Sequence, residues 1–123
     1  MAAIVLIHGA YQGGWIWQPV ATLLRAAGHT VFAPSLDGCA ERAHALRPGI
    51  TNATHAEEIA RLLDYEDLDN AILVGTSCGG MVMAAAAERA RPRIARPRIA
   101  RLVFADALAL LHGEALAAII APL

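Results

Sequence analysis

The sequence predicts an α/β fold with a mostly parallel four-stranded sheet and helices on both faces. Two observations lead to this class. Four short apolar runs, at residues 4–7, 30–33, 71–74 and 102–105, lack the alternation of half-exposed strands, which is typical of strands buried on both faces of a parallel sheet. Segments with helical periodicity lie between these runs, and a regular alternation of strands and helices builds βαβ units.

Each predicted helix has a local signal at one of its ends. The first ends at Gly28, a residue suited to the left-handed position after a helix. The second begins at Thr54, because Thr54 and Glu57 have the spacing of a capping box. The third starts just after residue 77 and must end before Pro92, which cannot continue a helix.

Length and charge limit the classes of function. The chain has 123 residues, 57% of them hydrophobic and 17% charged, with a net charge of −1, which indicates a single domain, residues 1–123, that does not bind nucleic acid. Six of its ten arginines fall between Arg89 and Arg101, but prolines interrupt them, so a solvated loop or interface edge is favoured over a phosphate groove. Lysine is absent, which excludes a P-loop and Schiff-base chemistry.

Cysteine and histidine spacing predicts a protein without metal or cofactor. Cys39 and Cys78 are too few for a disulfide framework, so both are expected to be free thiols in a reducing, cytoplasmic compartment. The five histidines show no metal-binding spacing, and the early glycines do not form a dinucleotide fingerprint. The amino-terminal apolar run stops at His8 and lacks a basic flank, which predicts neither a signal peptide nor a membrane span.

The strongest chemical motif is Gly75-Thr76-Ser77-Cys78-Gly79, a G-x-S-x-G pattern between a predicted strand and a predicted helix. In that context a sharp turn exposes the serine hydroxyl, and the flanking glycines remove side chains that would clash. The helix that follows directs its amino-terminal N–H groups at the site, which favours developing negative charge. The motif predicts a nucleophile elbow with Ser77 as the nucleophile.

A second turn lies at the same edge of the predicted sheet. The first strand ends in His8-Gly9-Ala10, where a backbone N–H together with that of Cys78 would form a two-donor oxyanion hole. His8 is a candidate base, although a histidine at a buried strand end more often has a structural role. Two tryptophans, Trp15 and Trp17, are expected to cover the core.

These segments resemble the amino-terminal part of the α/β-hydrolase superfamily, near its methylesterase and hydroxynitrile-lyase-like group. The similarity is carried by IVLIHGAYQGGWIW, AAGHTVFAPSLDG, THAEEIARLLDYEDL, ILVGTSCGGMV and RIARLVFADA, and spans residues 4–107. It implies that Ser77 is the nucleophile and that the amides of Ala10 and Cys78 form the oxyanion hole. It also implies that His44 and His55 are not catalytic. The related lyases use a lysine, which this chain lacks, so an esterase is favoured.

The chain departs from this family in its extent. Family members continue through a lid and two further strands, so the sequence predicts a truncated α/β-hydrolase fold whose last strand, Leu102 to Ala105, is an unpaired sheet edge. An open apolar edge promotes association. We therefore expect a homodimer that pairs this edge across a two-fold axis. A tandem duplication, RPRIA at residues 91–95 and 96–100, and a short helix over residues 114–120 are expected near the contact.

The remaining members of a catalytic triad are assigned by position. Asp106 follows the fourth strand, from which some α/β hydrolases supply the acid, and a structural role is equally open. His112 is the only histidine after the elbow and is the candidate base, acting within one chain or across the dimer. His29 precedes the second strand and therefore lies at the end of the sheet opposite to Ser77, so the topology excludes it as the catalytic base.

Two hypotheses of function follow. The first is a carboxylesterase that acts on small or aryl esters through an acyl-enzyme on Ser77, because the chain has no lid to shape a long acyl pocket. The second is a non-catalytic half-domain that keeps the elbow by descent and acts as a dimerisation or interaction module. The combination of elbow and oxyanion turn favours the esterase, since only catalysis requires that strained geometry.

Overall fold

The sheet has four parallel strands, as predicted. A computed structural model describes residues 1–90 and 97–107. The strand order is β2-β1-β3-β4, and each neighbouring pair is parallel. The strands are β1 (Ala3–Ile7), β2 (Thr30–Phe32), β3 (Ala71–Ser77) and β4 (Ile99–Ala107).

In the described part of the chain, three α-helices lie between the strands and cover both faces of the sheet. They are α1 (Gln18–Ala26), α2 (Asn52–Tyr65) and α3 (Gly79–Arg89). Two short 3-10 helices, Gly14–Trp17 and Ala40–Ala45, lie in the connections before α1 and α2. Neither 3-10 helix was predicted from the sequence.

The core has two parts, one on each face of the sheet. On one face, α2 and α3 pack on the central strands through a buried cluster that includes Ile7, Ile59, Leu63, Leu73 and Met83. On the other face, α1 packs through a smaller cluster of Ile4, Leu6, Ala21 and Val31. Trp17 packs on the smaller cluster as predicted, whereas Trp15 is 63% exposed and does not cover the core.

The helix ends confirm one predicted signal and correct another. Gly28 follows α1 with a φ of +95°, and its N–H donates to the carbonyl of Arg25 at 3.0 Å. The capping box of α2 lies three residues earlier than predicted, because Thr51 is the N-cap and exchanges side-chain to backbone hydrogen bonds with Thr54. The predicted pair of Thr54 and Glu57 therefore lies inside the helix.

The fourth strand is longer than predicted and, among the described strands, is an edge of the sheet. Its first residues, Ile99 and Ala100, belong to the second RPRIA copy, so the end of that copy is part of the strand. Arg98 of the same copy is only 10% exposed and pairs with Asp64 at 3.2 Å and with Asp69 at 3.7 Å. The expectation of a solvated arginine cluster is wrong for Arg98.

Several predictions concern residues outside the described part of the chain. These are the first RPRIA copy, His112 and the helix over residues 114–120. None of the helices in residues 1–90 and 97–107 is long and apolar enough to cross a membrane. Cys39 and Cys78 are both free thiols, as predicted, while the compartment inferred from them stays a prediction.

Candidate active site

Ser77 lies at the junction between β3 and α3, with its side chain exposed. Its φ is +50°, in the left-handed region, which costs a residue with a Cβ roughly 1–2 kcal/mol. Cys78 follows as the N-cap of α3, so the chain passes from strand to helix within two residues. This is the geometry that a nucleophile elbow requires.

Two glycines allow the elbow to pack closely. A Cβ on Gly79 would lie 2.6 Å from the carbonyl oxygen of Ile7 and 2.7 Å from that of His8. A Cβ on Gly75 would lie 2.7 Å from the carbonyl oxygen of Gly79. Gly79 is therefore required by the contact between the elbow and the end of β1, and Gly75 by the contact between β3 and the start of α3.

The turn after β1 lies against the elbow. A Cβ on Gly9 would come within 2.9 Å of the Cβ of Ser77, so this turn and the serine are neighbours. The N–H of Gly9 donates to Oε1 of Gln12 at 2.8 Å, which holds the turn in shape. Ala10 follows at an exposed position in this turn, and Tyr11 has a φ of +61° with its ring fully exposed.

A cavity of about 280 Å³ brings the two predicted oxyanion residues together. Ala10 and Cys78 both line it. Its other walls come from the turn after β1, from the segment between β2 and α2, and from the first turns of α2 and α3. The remaining lining residues are His8, Gly9, Leu36, Cys39, Ile50, Thr51, Asn52, His55, Met81 and Val82.

The contribution of the segment between β2 and α2 to this cavity was not predicted from the sequence. Leu36, Cys39 and Ile50 belong to an irregular connection without a recognisable motif, so no local signal marked them. His55 also lines the cavity, and its Nε2 lies 3.0 Å from the carbonyl oxygen of Asp37.

Ion pairs hold that connection in place. Arg47 contacts Asp37 through two nitrogens, at 2.8 and 3.2 Å, and this hydrogen bonding lowers the pKa of the Asp37 carboxyl. Arg42 binds Glu58 of α2, which raises the pKa of the guanidinium, and Glu58 also accepts the N–H of Asp37 at 2.9 Å. The wall of the cavity is therefore tied to α2 by charged hydrogen bonds.

His8 has the structural role that the sequence favoured. It is 2% exposed, its Nε2 accepts the N–H of Leu36 at 2.9 Å, and its Nδ1 lies 2.8 Å from the carbonyl oxygen of Gly9. Accepting at Nε2 requires a neutral ring with the proton on Nδ1. Burial lowers the pKa of His8, so the neutral ring joins the end of β1 to the segment after β2.

The triad candidates are only partly described. Asp106 is exposed near the end of β4 with a φ of +52°, and the next residue, Ala107, is the register partner of Ser77. Ser77 and Asp106 thus lie on neighbouring parallel strands, both near the carboxyl-terminal ends of those strands. His29 contacts the N–H of Ala2 at 3.0 Å, at the start of β1, as its exclusion predicted.

Neither metal chemistry nor a cofactor was predicted from the sequence. Within the described residues, no three histidine, cysteine, aspartate or glutamate side chains are grouped so as to hold a metal ion.

The chain matches known proteins along most of its length. A model of the alpha/beta hydrolase fold family matches residues 2–121. A carbendazim hydrolyzing esterase of Nocardioides sp. (strain SG-4G) is 41% identical over 120 residues, which cover 98% of this chain and 48% of that protein. Salicylic acid-binding protein 2 of Nicotiana tabacum is 38% identical over 96 residues, covering 69% of this chain and 33% of that protein.

Solved structures show the same likeness. An extracellular alpha/beta-hydrolase from a Paenibacillus species superposes with a TM-score of 0.82 at 30% identity, covering 96% of this chain and 46% of that one. Polyneuridine aldehyde esterase superposes with a TM-score of 0.76 at 27% identity, covering 96% and 45%. The chain therefore spans about half the length of such relatives, or less.

Proposed function

Since the chain belongs to the alpha/beta hydrolase family, we propose that it is a carboxylesterase-type serine hydrolase that acts on small or aryl esters through an acyl-enzyme on Ser77. Esterases are prominent among its relatives, including a carbendazim hydrolyzing esterase and methylesterase 8 of Arabidopsis thaliana. The single observation that carries the proposal is the left-handed backbone of Ser77 at a strand-to-helix junction beside the cavity that Ala10 and Cys78 line.

In the first step, Oγ of Ser77 attacks the ester carbonyl carbon while a base takes the hydroxyl proton. The carbonyl oxygen becomes an oxyanion, which accepts hydrogen bonds from the N–H groups of Ala10 and Cys78. The position of Cys78 at the N-cap of α3 adds the positive end of the helix dipole. The tetrahedral intermediate then expels the alcohol, which takes the proton, and the acyl group stays on Ser77.

In the second step, water attacks the acyl-enzyme and the same base accepts its proton. The carboxylic acid then leaves, and the proton returns to Ser77. We assign the base to His112 and the acid that orients it to Asp106, whose strand neighbours that of Ser77. Without such a base Ser77 would be a weak nucleophile, because a serine hydroxyl is scarcely ionised at neutral pH.

The experiment is hydrolysis of p-nitrophenyl acetate by the wild-type chain, Ser77→Ala and His112→Ala. His44→Ala is the matched control for His112→Ala, since His44 is exposed and has no assigned role. Both site variants should lose on the order of a thousandfold or more in turnover, and the control should retain it. Folding of each variant is checked by circular dichroism.

A fluorophosphonate probe gives a second measure of the assembled site. It should add its mass to the wild type and not to Ser77→Ala. If the wild type and Ser77→Ala are equally slow and neither is labelled, the chain is not a serine hydrolase. The hypothesis of an interaction module then takes its place.

We also propose that the chain forms a homodimer through the edge of β4 from Leu102 to Ala105. Within the described residues, β4 pairs with β3 alone, and its Val103 and Phe104 are 42% and 43% exposed. Apolar side chains beside unpaired backbone groups favour strand pairing between chains.

A further inference from the structure

Within residues 1–90 and 97–107, the walls of the cavity beside the elbow carry no aspartate, glutamate or arginine. Leu36, Ile50, Met81 and Val82 supply apolar surface. His8 is buried, which lowers its pKa, and its Nε2 accepts the N–H of Leu36, which requires a neutral ring. An ionised group would lose its hydration in this cavity and gain no ion pair in return.

Apart from the thiol of Cys78, the polar side chains that line the cavity already have protein partners. Asn52 Nδ2 donates to the carbonyl of Met81 at 3.4 Å, and Thr51 Oγ1 accepts a backbone N–H of its own helix at 3.3 Å. The ring of His55 contacts a backbone carbonyl, and the thiol of Cys39 lies 3.8 Å from the same carbonyl oxygen. A ligand in this cavity therefore finds few side chains available for hydrogen bonding, which favours binding of an apolar group.

The cavity is small and its outer wall is braced. Its volume is about 280 Å³, near the lower end of typical ligand sites. A cavity of about 150 Å³ already admits benzene, so a single ring or a short branched chain fits here. The ion pairs of Arg42 and Arg47 hold the wall that carries Cys39 and Ile50, so the cavity is formed before a ligand arrives.

We propose that this cavity binds the acyl portion of the ester and selects compact, uncharged, apolar acyl groups, with Ile50 and Cys39 setting the size limit. This inference rests on the proposed hydrolysis at Ser77 and adds the substrate class to it. The acyl portion is the part that stays bound to Ser77 through the second step, when the oxyanion amides of Ala10 and Cys78 act again. A wall next to those amides therefore contacts the acyl group in both steps.

The test varies the acyl group while the leaving group stays constant. We would measure kcat/KM for p-nitrophenyl acetate, benzoate and 1-naphthoate with wild type, Ile50→Phe and Ile50→Ala. Filling the cavity with Ile50→Phe should lower the benzoate to acetate ratio about tenfold, and enlarging it with Ile50→Ala should raise the naphthoate to benzoate ratio by a similar factor. Leu23→Phe and Leu23→Ala are matched controls, because Leu23 is 72% exposed on α1 and lies outside the cavity.

The outcomes separate this inference from the proposed function. Hydrolysis that depends on Ser77 but keeps the same acyl ratios in both Ile50 variants would overturn the inference and leave the function standing. Ratios that respond instead to the alcohol portion, in a series of acetates with different alcohols, would also overturn it.

A binding measurement decides the inference if no hydrolysis depends on Ser77. Methyl benzoate is added to the Ser77→Ala chain, and the methyl resonances of Ile50 and Met81 are followed by NMR. We expect both to shift with methyl benzoate and neither to shift with the benzoate anion. No shift with the neutral ester, or equal shifts with the anion, would refute the assignment.

Discussion

At the scale of single residues, Ser77 has a backbone conformation that a residue with a Cβ adopts at a cost. Its φ is +50°, and glycine would adopt this conformation without the penalty. We therefore expect Ser77→Gly to be more stable than Ser77→Ala by about 1 kcal/mol, measured as the free energy of unfolding in urea. Both variants lack the hydroxyl, so their difference isolates the backbone strain.

The neighbouring residue Thr76 provides the control for this comparison. It lies within β3 and is not among the residues with positive φ. Here glycine should be the less stable of the two substitutions, because it loses more backbone entropy on folding than alanine. The same order of stability at both positions would mean that Ser77 is not strained.

His8 is expected to make stability depend on pH. Burial lowers its pKa in the folded state from 6.5, whereas the unfolded chain takes up a proton at its ordinary value. The unfolded state thus binds more protons as the pH falls below about 6.5, and the free energy of unfolding should decrease there by at most about 1.4 kcal/mol per pH unit. The free energy of unfolding stops decreasing on account of His8 once the pH falls below the pKa of His8 in the folded state.

Urea unfolding at about pH 7.5 and about pH 5.5 measures this effect. His8→Asn removes the ionisable ring, so its stability should change less across that interval than the wild type's. His44→Asn, at an exposed position, should keep the wild-type slope. Asp37 and Glu41 have lowered pKa values, so their contributions are lost only at more acidic pH and do not overlap this interval. Equal slopes in the wild type and His8→Asn would contradict the neutral, buried ring.

At the scale of elements, the start of α2 depends on Thr51. Its side chain accepts the N–H of Thr54, and the Thr54 side chain accepts the N–H of Thr51 in return. Thr51→Ala should therefore lower the free energy of unfolding by about 1 kcal/mol in urea or thermal denaturation.

Thr22→Ala is the comparison for this helix cap. Thr22 is an exposed threonine within α1, and its hydroxyl donates to the carbonyl of Gln18. Alanine has the higher helix propensity there, so the variant should be as stable as the wild type or slightly more stable. A loss at Thr22 equal to that at Thr51 would show that the cap contributes nothing specific.

The boundaries of α2 and β4 show where local patterns were insufficient. Thr54 and Glu57 have capping-box spacing, but Thr51 offers the same side-chain chemistry one turn earlier, and sequence spacing does not choose between them. The first residues of β4 look like a proline-rich connection. They become strand because Arg98 is held by Asp64 and by the carbonyl of Leu68, contacts between residues distant in sequence.

At the scale of the whole molecule, the sequence predicted the order of elements, the parallel sheet and the place of Ser77, because each depends on local periodicity or on a motif with a fixed geometry. It did not predict the cavity. Leu36, Cys39 and Ile50 reach the cavity only through ion pairs and packing that join an irregular segment to α2. Such contacts leave no periodic signal in the chain.

The edge of β4 determines how the molecule is expected to associate. Within residues 1–90 and 97–107, β4 is an edge strand on which Val103 and Phe104 are half exposed. Pairing between two copies would reduce the exposure of both side chains and add backbone hydrogen bonds along β4. Multi-angle light scattering should therefore give about twice the chain mass of 12.9 kDa. The double variant Val103→Lys and Phe104→Lys should give the monomer mass, because lysine on an edge strand opposes pairing.

The matched control is the double variant Val20→Lys and Leu23→Lys on α1, where the residues are 40% and 72% exposed. It adds the same charge away from β4 and should leave the dimer intact, which separates edge pairing from a general effect of charge on association. A folded wild-type monomer would refute the dimer, and His112 would then have to reach Ser77 within one chain. If the dimer forms and the β4 variant is a folded monomer that still hydrolyses p-nitrophenyl acetate, the base comes from the same chain as Ser77.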